Sequence, residues 1–145
     1  MALKSDQTYD PSNIFARILR GEIPAYKVYE NDDVLAFMDI MPRGDGHTLV
    51  ISKTPSRTIL DVPPAALANL ILAVQHVAKG VKTAMDADGV TIQQFNESAG
   101  GQVVFHLHFH IIPRFEGVKM RPHTSEMAEP ALLQSFAARI RAILT

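Results

Sequence analysis

Phe105-His106-Leu107-His108-Phe109-His110-Ile111-Ile112-Pro113 is the stretch on which the reading of this chain turns. Three histidines recur at every second position, with large apolar residues between and after them. A period of two is the signature of a β-strand, whose successive side chains point to opposite faces. On that reading His106, His108 and His110 share one face, while Phe105, Leu107, Phe109 and Ile111 share the other. The apolar face requires a core, so the imidazole face lines a cleft or lies on open surface. Residues two apart on a strand are roughly 7 Å apart, and two imidazolium charges at that distance repel by about 2–3 kcal/mol at an effective dielectric of 20. The row is therefore expected to hold at most about one proton at neutral pH.

Aligned imidazoles serve as metal ligands, as nucleophile and acid–base groups, or simply as the polar face of a half-exposed strand. Three of the six histidines in the chain fall in this one stretch, which argues against the last. The approach to it, Asn96-Glu97-Ser98-Ala99-Gly100-Gly101-Gln102, is a glycine-containing loop between two apolar runs. Glycines admit a ligand close to backbone, and successive turn N–H groups can form an anion-binding nest. Asn96 and Gln102 add neutral amides. Such groups suit phosphate or a carbonyl oxygen better than a metal, although the glycines alone would also make a plain hairpin loop.

Outward from this centre the chain alternates strands and helices. Met1 to Pro11 is polar and expected to be loosely held. Ser12 or Asn13 caps a short helix through Ile14, Phe15, Ile18 and Leu19, ended by Gly21. Tyr26–Glu30 and Val34–Asp39 form a hairpin across Asn31-Asp32-Asp33. Asp39, at the end of that hairpin, either caps a turn or offers its lone pairs to two hydroxyls. Arg43-Gly44-Asp45-Gly46 is a loop, and His47 opens the strand Thr48–Ser52 as a fourth candidate imidazole. Pro63-Pro64 begins a long helix with an apolar stripe of Leu67, Leu70, Ile71, Val74, Val77, Ala78, Val81 and Met85; His76 lies off it. Val90–Phe95 is a further strand. Glu116–Glu129 is polar loop, with His123 expected at the surface, and Ala131–Leu144 is a closing amphipathic helix. The fold class is α+β: five strands in one antiparallel sheet with helices packed on it.

The 145 residues suit a single domain, 1–145. A net charge of −1 supplies no field for nucleic acid or anionic lipid. With no cysteine there is neither disulfide nor thiolate metal site. No apolar run approaches a membrane span or a secretory leader, so the protein is expected to be cytoplasmic, without membrane or nucleic-acid partners.

The motif His106-Leu107-His108-Phe109-His110, followed by Ile111-Ile112-Pro113, resembles the signature of the histidine triad (HIT) family of nucleotide-binding hydrolases and transferases. Asn13–Pro24 is similar to that family's opening helix, Val34–Ile40 to its ribose-side strand, and Gly46–Ile51 to the strand entering its active site. The resemblance runs in order from about Asn13 to Arg114. It implies a homodimer joined into a continuous ten-stranded sheet, and a purine nucleotide cut at its α-phosphate without cofactor or metal. His108 would attack phosphorus, giving a nucleotidyl-histidine, with a backbone carbonyl holding its other nitrogen. His110 and the backbone near Val103 and Val104 would bind phosphate oxygens, while His47 and His106 orient the row or pass a proton. Asn96 and Gln102 would position the phosphate and Asp39 the ribose. Ile14, Phe15, Ile18, Phe37 and Ile40 would wall the nucleoside pocket.

Three departures from the family pattern stand out. The Cys-x-x-Cys of zinc-bearing relatives falls on Asn13 and Ala16, and a histidine they also carry falls on Pro55, so no structural zinc is expected. Val103 replaces a Ser or Thr whose hydroxyl lies near the leaving group. Asn96 stands one residue nearer the triad than in the phosphoramidase branch. The resemblance favours nucleoside phosphoramidate hydrolysis slightly over dinucleoside polyphosphate hydrolysis. A nucleotide-binding interaction module with vestigial activity and a metal-dependent hydrolase are the rival classes.

Overall fold

The computed structural model describes residues 8–123 and 126–145. Five strands, β1 (Lys27–Glu30), β2 (Val34–Met38), β3 (Thr48–Ser52), β4 (Gly89–Gln93) and β5 (His108–Arg114), form one antiparallel sheet in the order β1-β2-β3-β5-β4. Three helices, α1 (Ile14–Leu19), α2 (Pro64–Ala84) and α3 (Pro130–Leu144), complete the α+β domain. The β1–β2 turn is made by Asn31, whose side-chain oxygen accepts from the backbone N–H groups of Asp33 (2.8 Å) and Val34 (2.9 Å). No helix among the described residues is long and apolar enough to cross a membrane.

The two faces of the sheet sort the apolar residues by parity. Val34, Ala36 and Met38 of β2, Val50 of β3, and Phe109 and Ile111 of β5 join Leu70, Val74, Val77, Leu133 and Ile140 in the main core, under α2 and α3. Leu35, Phe37, Leu49 and Ile51 face the other way and meet Phe15 and Ile18 of α1. Every position of β2 and β3 is buried, so β2 and Leu49–Ile51 of β3 read as continuous apolar runs instead of alternating with polar residues. Ile71, placed on the α2 stripe by spacing, is 46% exposed, because Leu70 and Val74 already fill the sheet-facing line and Ile71 lies one step round the helix. The α2–α3 contact closes at Gly80, where an added Cβ would come within 2.3 Å of Leu144; α3 also buries Ala137.

Two sequence expectations change here. β5 begins at His108, not before His106: residues 104–106 bend away, and Leu107 is held by Ser52 and Ser56, its N–H donating to the Ser56 carbonyl (2.8 Å) and its carbonyl accepting from Ser52 (3.4 Å). His106 therefore stands outside the ladder. Of the opening segment expected to be loose, residues 1–7 lie outside the described residues, while the Tyr9 hydroxyl is 2.8 Å from Nδ1 of His106.

Candidate active site

The α1 face of the sheet carries the cavity. Register aligns Phe37, Leu49, His110 and Gln93 in one row across β2, β3, β5 and β4, and Leu35, Ile51 and His108 in the next. Each row thus passes from apolar side chains to imidazole. A cavity of about 360 Å³ lies over them, walled on its apolar side by Ile14, Phe15, Ile18, Ile23, Phe37 and Leu49 and on the other by His108, His110 and His47. Ile40, Asp39, Val103 and Val104 also line it. α1 is capped by Asn13, whose side-chain oxygen accepts from the Ala16 N–H at 2.9 Å, and is held on this face by Phe15 and Ile18 packing on Leu35, Phe37, Leu49 and Ile51. Phe15 sets its ring edge-on to His108, 4.9 Å between centroids, and Phe95 does the same to His110 at 5.5 Å.

Hydrogen bonds define the tautomers of His47, His106, His108 and His110. The backbone N–H of Arg43 donates to Nδ1 of His47 (3.0 Å), so His47 carries its proton on Nε2. That Nε2–H faces Nδ1 of His110 at 2.9 Å, leaving His110 with an Nε2–H. On the other branch, Nε2 of His106 donates to the Ser52 carbonyl (2.6 Å) and its Nδ1 takes the Tyr9 hydroxyl. Nδ1 of His108 donates to the His106 carbonyl at 2.6 Å. His108 is left with an unprotonated Nε2 on a ring that lines the cavity. His106 does not line it: its ring is fully buried and both nitrogens are engaged, so it supports His108 from behind.

Burial holds all four rings neutral. It is the largest cause of depression to about 3 for His47 and His110 and to about 4 for His108, and it lowers His106 as well. The Arg43 guanidinium and mutual repulsion among the neighbouring imidazoles add to the effect on His47 and His110. Asp39 is pushed up to about 6 by burial, against the Met41 N–H that donates to it at 2.8 Å. Its other oxygen lies 3.4 Å from Nε2 of His47. Because His47 is neutral, this contact is not an ion pair.

Two predicted phosphate ligands are placed elsewhere. Gln102 is buried and its amide is consumed within the loop: it accepts from Glu97 N–H (2.7 Å) and donates to the carbonyls of Arg57 (2.8 Å) and Val104 (3.0 Å). Asn96 accepts from Ile59 N–H (2.8 Å) and exchanges hydrogen bonds with Gln94. Neither lines the cavity, and both brace the loop that carries Val103 and Val104. The brace continues in Arg57, which binds the Glu97 carboxylate at 2.8 and 3.0 Å and lies 4.2 Å over the Phe105 ring. Glu97 itself has φ 65° and ψ 165°, a region nearly restricted to glycine.

Spacing missed the cavity role of Arg43 and the Tyr9 contact. His123 is exposed, as expected, and also lines the cavity, as does Arg43. Arg43 had a signal, being the one cation in the loop before His47. Tyr9, 97 residues from His106, had none.

For a metal, the grouping to consider among the described residues is Asp39, His47 and His110, whose ligand atoms lie within 4.8 Å of one another. A cation there would have to replace the His47–His110 hydrogen bond. The zinc position implied by the family resemblance does not fit: Asn13 is engaged as the α1 cap, and Ala16 and Pro55 offer no side-chain donor.

An α+β sheet that sets neutral imidazoles beside an apolar cavity defines the class of protein. Residues 20–117 match the HIT domain, and the chain belongs to that family. A HIT-like protein of Methanocaldococcus jannaschii is 46% identical over 104 residues, 72% of this chain and 80% of that one. Adenylylsulfatase HINT3 of Arabidopsis thaliana is 38% identical over 71% of this chain and 52% of its own length. Among solved structures, a Hit-like protein involved in cell-cycle regulation from Bartonella henselae superposes with a TM-score of 0.88 at 52% identity, over 94% of this chain and 99% of the other. A histidine triad nucleotide-binding protein from Sulfolobus tokodaii gives 0.83 at 34% identity, over 90% of each.

Proposed function

We propose that this protein binds a purine nucleotide conjugate in the cavity and hydrolyses it at the α-phosphate, releasing the nucleoside monophosphate. One observation carries the reading: His108 Nδ1–H is committed to the His106 carbonyl, so the lone pair of Nε2 is available on the cavity side. A neutral, oriented imidazole beside an apolar wall of nucleoside size suits attack on phosphorus. The nucleotide-binding description of the Sulfolobus tokodaii protein and the adenylylsulfatase name of the Arabidopsis relative support the same chemistry.

In this mechanism Nε2 of His108 forms a bond to phosphorus while the bond to the leaving group breaks with its electron pair. A nitrogen leaving group departs as the neutral amine with a proton taken from solvent water. The Nε2–H of His110 donates to a phosphate oxygen, with His47 holding the ring in that tautomer. The Val103 and Val104 N–H groups, used in no hydrogen bond among the described residues, serve the same oxygens. Water then displaces the histidine. Ile14, Phe15, Ile18, Phe37 and Ile40 hold the base and Asp39 the ribose. β4 ends the sheet with Ile92 46% exposed, an edge suited to pairing with a second copy as a homodimer.

Nucleoside phosphoramidates and dinucleoside polyphosphates are the two substrate types to assay side by side. His108→Ala should lose turnover by at least 10³-fold, on the order expected for a covalent nucleophile, and keep nucleotide affinity. Rapid denaturation of the working parent enzyme should trap one nucleotidyl group on His108. Turnover by His108→Ala at the parent rate would end the proposal.

A further inference from the structure

The far side of the imidazoles from the apolar wall carries positive charge. In the row Phe37–Leu49–His110–Gln93, the apolar half occupies β2 and β3, and Gln93 lies on β4, one strand beyond His110. Adjacent strands are about 4.8 Å apart. Arg43 reaches across to that side: its Nη1 donates to the Gln93 side-chain oxygen (3.4 Å) and its Nε to the Arg121 carbonyl (2.9 Å). Arg121 N–H donates in return to the Arg43 carbonyl (2.9 Å), which brings the segment after β5 over the cavity and delivers His123 to its lining. No carboxylate among the described residues pairs with Arg43. Asp45, two residues on, is taken by Arg121, and Asp39 is engaged with Met41 and His47.

We propose that Arg43 forms a leaving-group subsite for a second anion, a sulfate or phosphate joined to the α-phosphate, and thereby sets a preference for acid anhydrides over phosphoramidates. The inference rests on the hydrolase reading above and names the substrate class of that site. The nucleoside lies over β2 and β3 and the α-phosphate over β5, so what departs lies toward β4. Arginine distinguishes the two leaving groups chemically: it stabilises a departing oxyanion but gives up no proton, which a departing amine requires. In the step itself, the P–N bond to His108 Nε2 forms as the bridging P–O bond breaks. The electron pair stays on the oxygen of the sulfate or phosphate, and water later releases the monophosphate. No co-reactant besides water is needed.

The test compares kcat/KM for adenosine 5′-phosphosulfate, diadenosine triphosphate and adenosine 5′-phosphoramidate in the parent, Arg43→Gln and Arg43→Lys. The expected result is an anhydride-to-phosphoramidate ratio at least tenfold lower in Arg43→Gln and partly restored by Arg43→Lys. The sulfate and triphosphate arms show which anion the subsite takes. A ratio unchanged within twofold in Arg43→Gln overturns the proposal. A second measurement stands apart from catalysis: in His108→Gln protein, ADP should bind at least fivefold tighter than AMP, and adding Arg43→Gln should erase the difference. Equal affinities would overturn the subsite with the hydrolase reading intact. An ADP preference that depends on Arg43, in a protein whose parent turns nothing over, would uphold the subsite and sink the hydrolase reading.

Discussion

Nε2 of His47 lies 2.9 Å from Nδ1 of His110, and the direction of that bond is set from outside the pair by the Arg43 N–H on the far nitrogen of His47. The bond fixes which nitrogen of each ring carries the proton, while burial keeps both rings neutral.

This neutrality has a cost in acid. His47 and His110 fall from 6.5 to about 3 and His108 to about 4 on folding, so below pH 6.5 the unfolded chain takes up protons that the folded chain refuses. Each such group removes up to about 1.4 kcal/mol of stability per pH unit. Asp39 acts in the opposite sense: raised from 3.8 to about 6, it contributes stability on the acid side that is lost as pH rises through about 6. Three histidines outweigh one carboxylate. The melting temperature should fall steadily from pH 6.5 to pH 4, with a shallower slope in His110→Gln; a flat profile would contradict the assignment.

Glu97 makes a second prediction because its backbone and its side chain pull apart. Its dihedrals favour glycine, while its carboxylate holds Arg57. Glu97→Ala keeps the strain and loses the ion pair; Glu97→Gly loses the ion pair but relieves strain of about 1–3 kcal/mol. Urea unfolding should therefore rank Glu97→Gly above Glu97→Ala by about 1 kcal/mol, the reverse of the usual order for these residues. Alanine proving the more stable would remove the strain from the account.

The sheet was legible in the chain because parity is a local signal. The spacing gives Thr48–Ser52 the bounds that β3 has, and Leu107, Phe109 and Ile111 share the core-facing side of the sheet although the ladder starts only at His108. What spacing could not show was depth. Mutual repulsion at roughly 7 Å was expected to limit protonation of the triad, whereas His108 and His110 have ring centroids 5.0 Å apart and burial is the larger cause. Long-range partners were equally invisible: Tyr9 on His106, Arg57 under Glu97, and the fold-back that carries His123 over the cavity all join residues tens of positions apart. Residue type alone makes Asn96 and Gln102 ligand donors, but an amide in a loop also serves to hold that loop.

Gln102 puts this distinction to the test. Its three hydrogen bonds require both a donor and an acceptor end. Gln102→Ala leaves a buried N–H and two carbonyls unpaired, at about 2–4 kcal/mol. Gln102→Glu turns an oxygen toward carbonyls that need a donor and should destabilise at neutral pH to a similar extent. If Gln102 instead touched substrate, both variants would melt like the parent and show only a raised KM. Unfolding curves measured beside kinetics separate the two.

Asp39 supplies the last prediction. One carboxylate oxygen is occupied by Met41, and the other is near His47 at the cavity wall, where it can accept from ribose hydroxyls. A hydrogen bond to a charged acceptor contributes about 1.5–3 kcal/mol. The parent should thus prefer a ribonucleotide over its 2′-deoxy analogue by roughly tenfold or more in kcat/KM. Asp39→Asn keeps an oxygen for Met41 but loses the charge, and should narrow that preference to within about threefold. The raised pKa of about 6 adds a signature that a shape effect would lack: discrimination in the parent should weaken as pH drops below 6, when the carboxyl takes up a proton. Equal discrimination at pH 5 and pH 8 would assign ribose selection to another group.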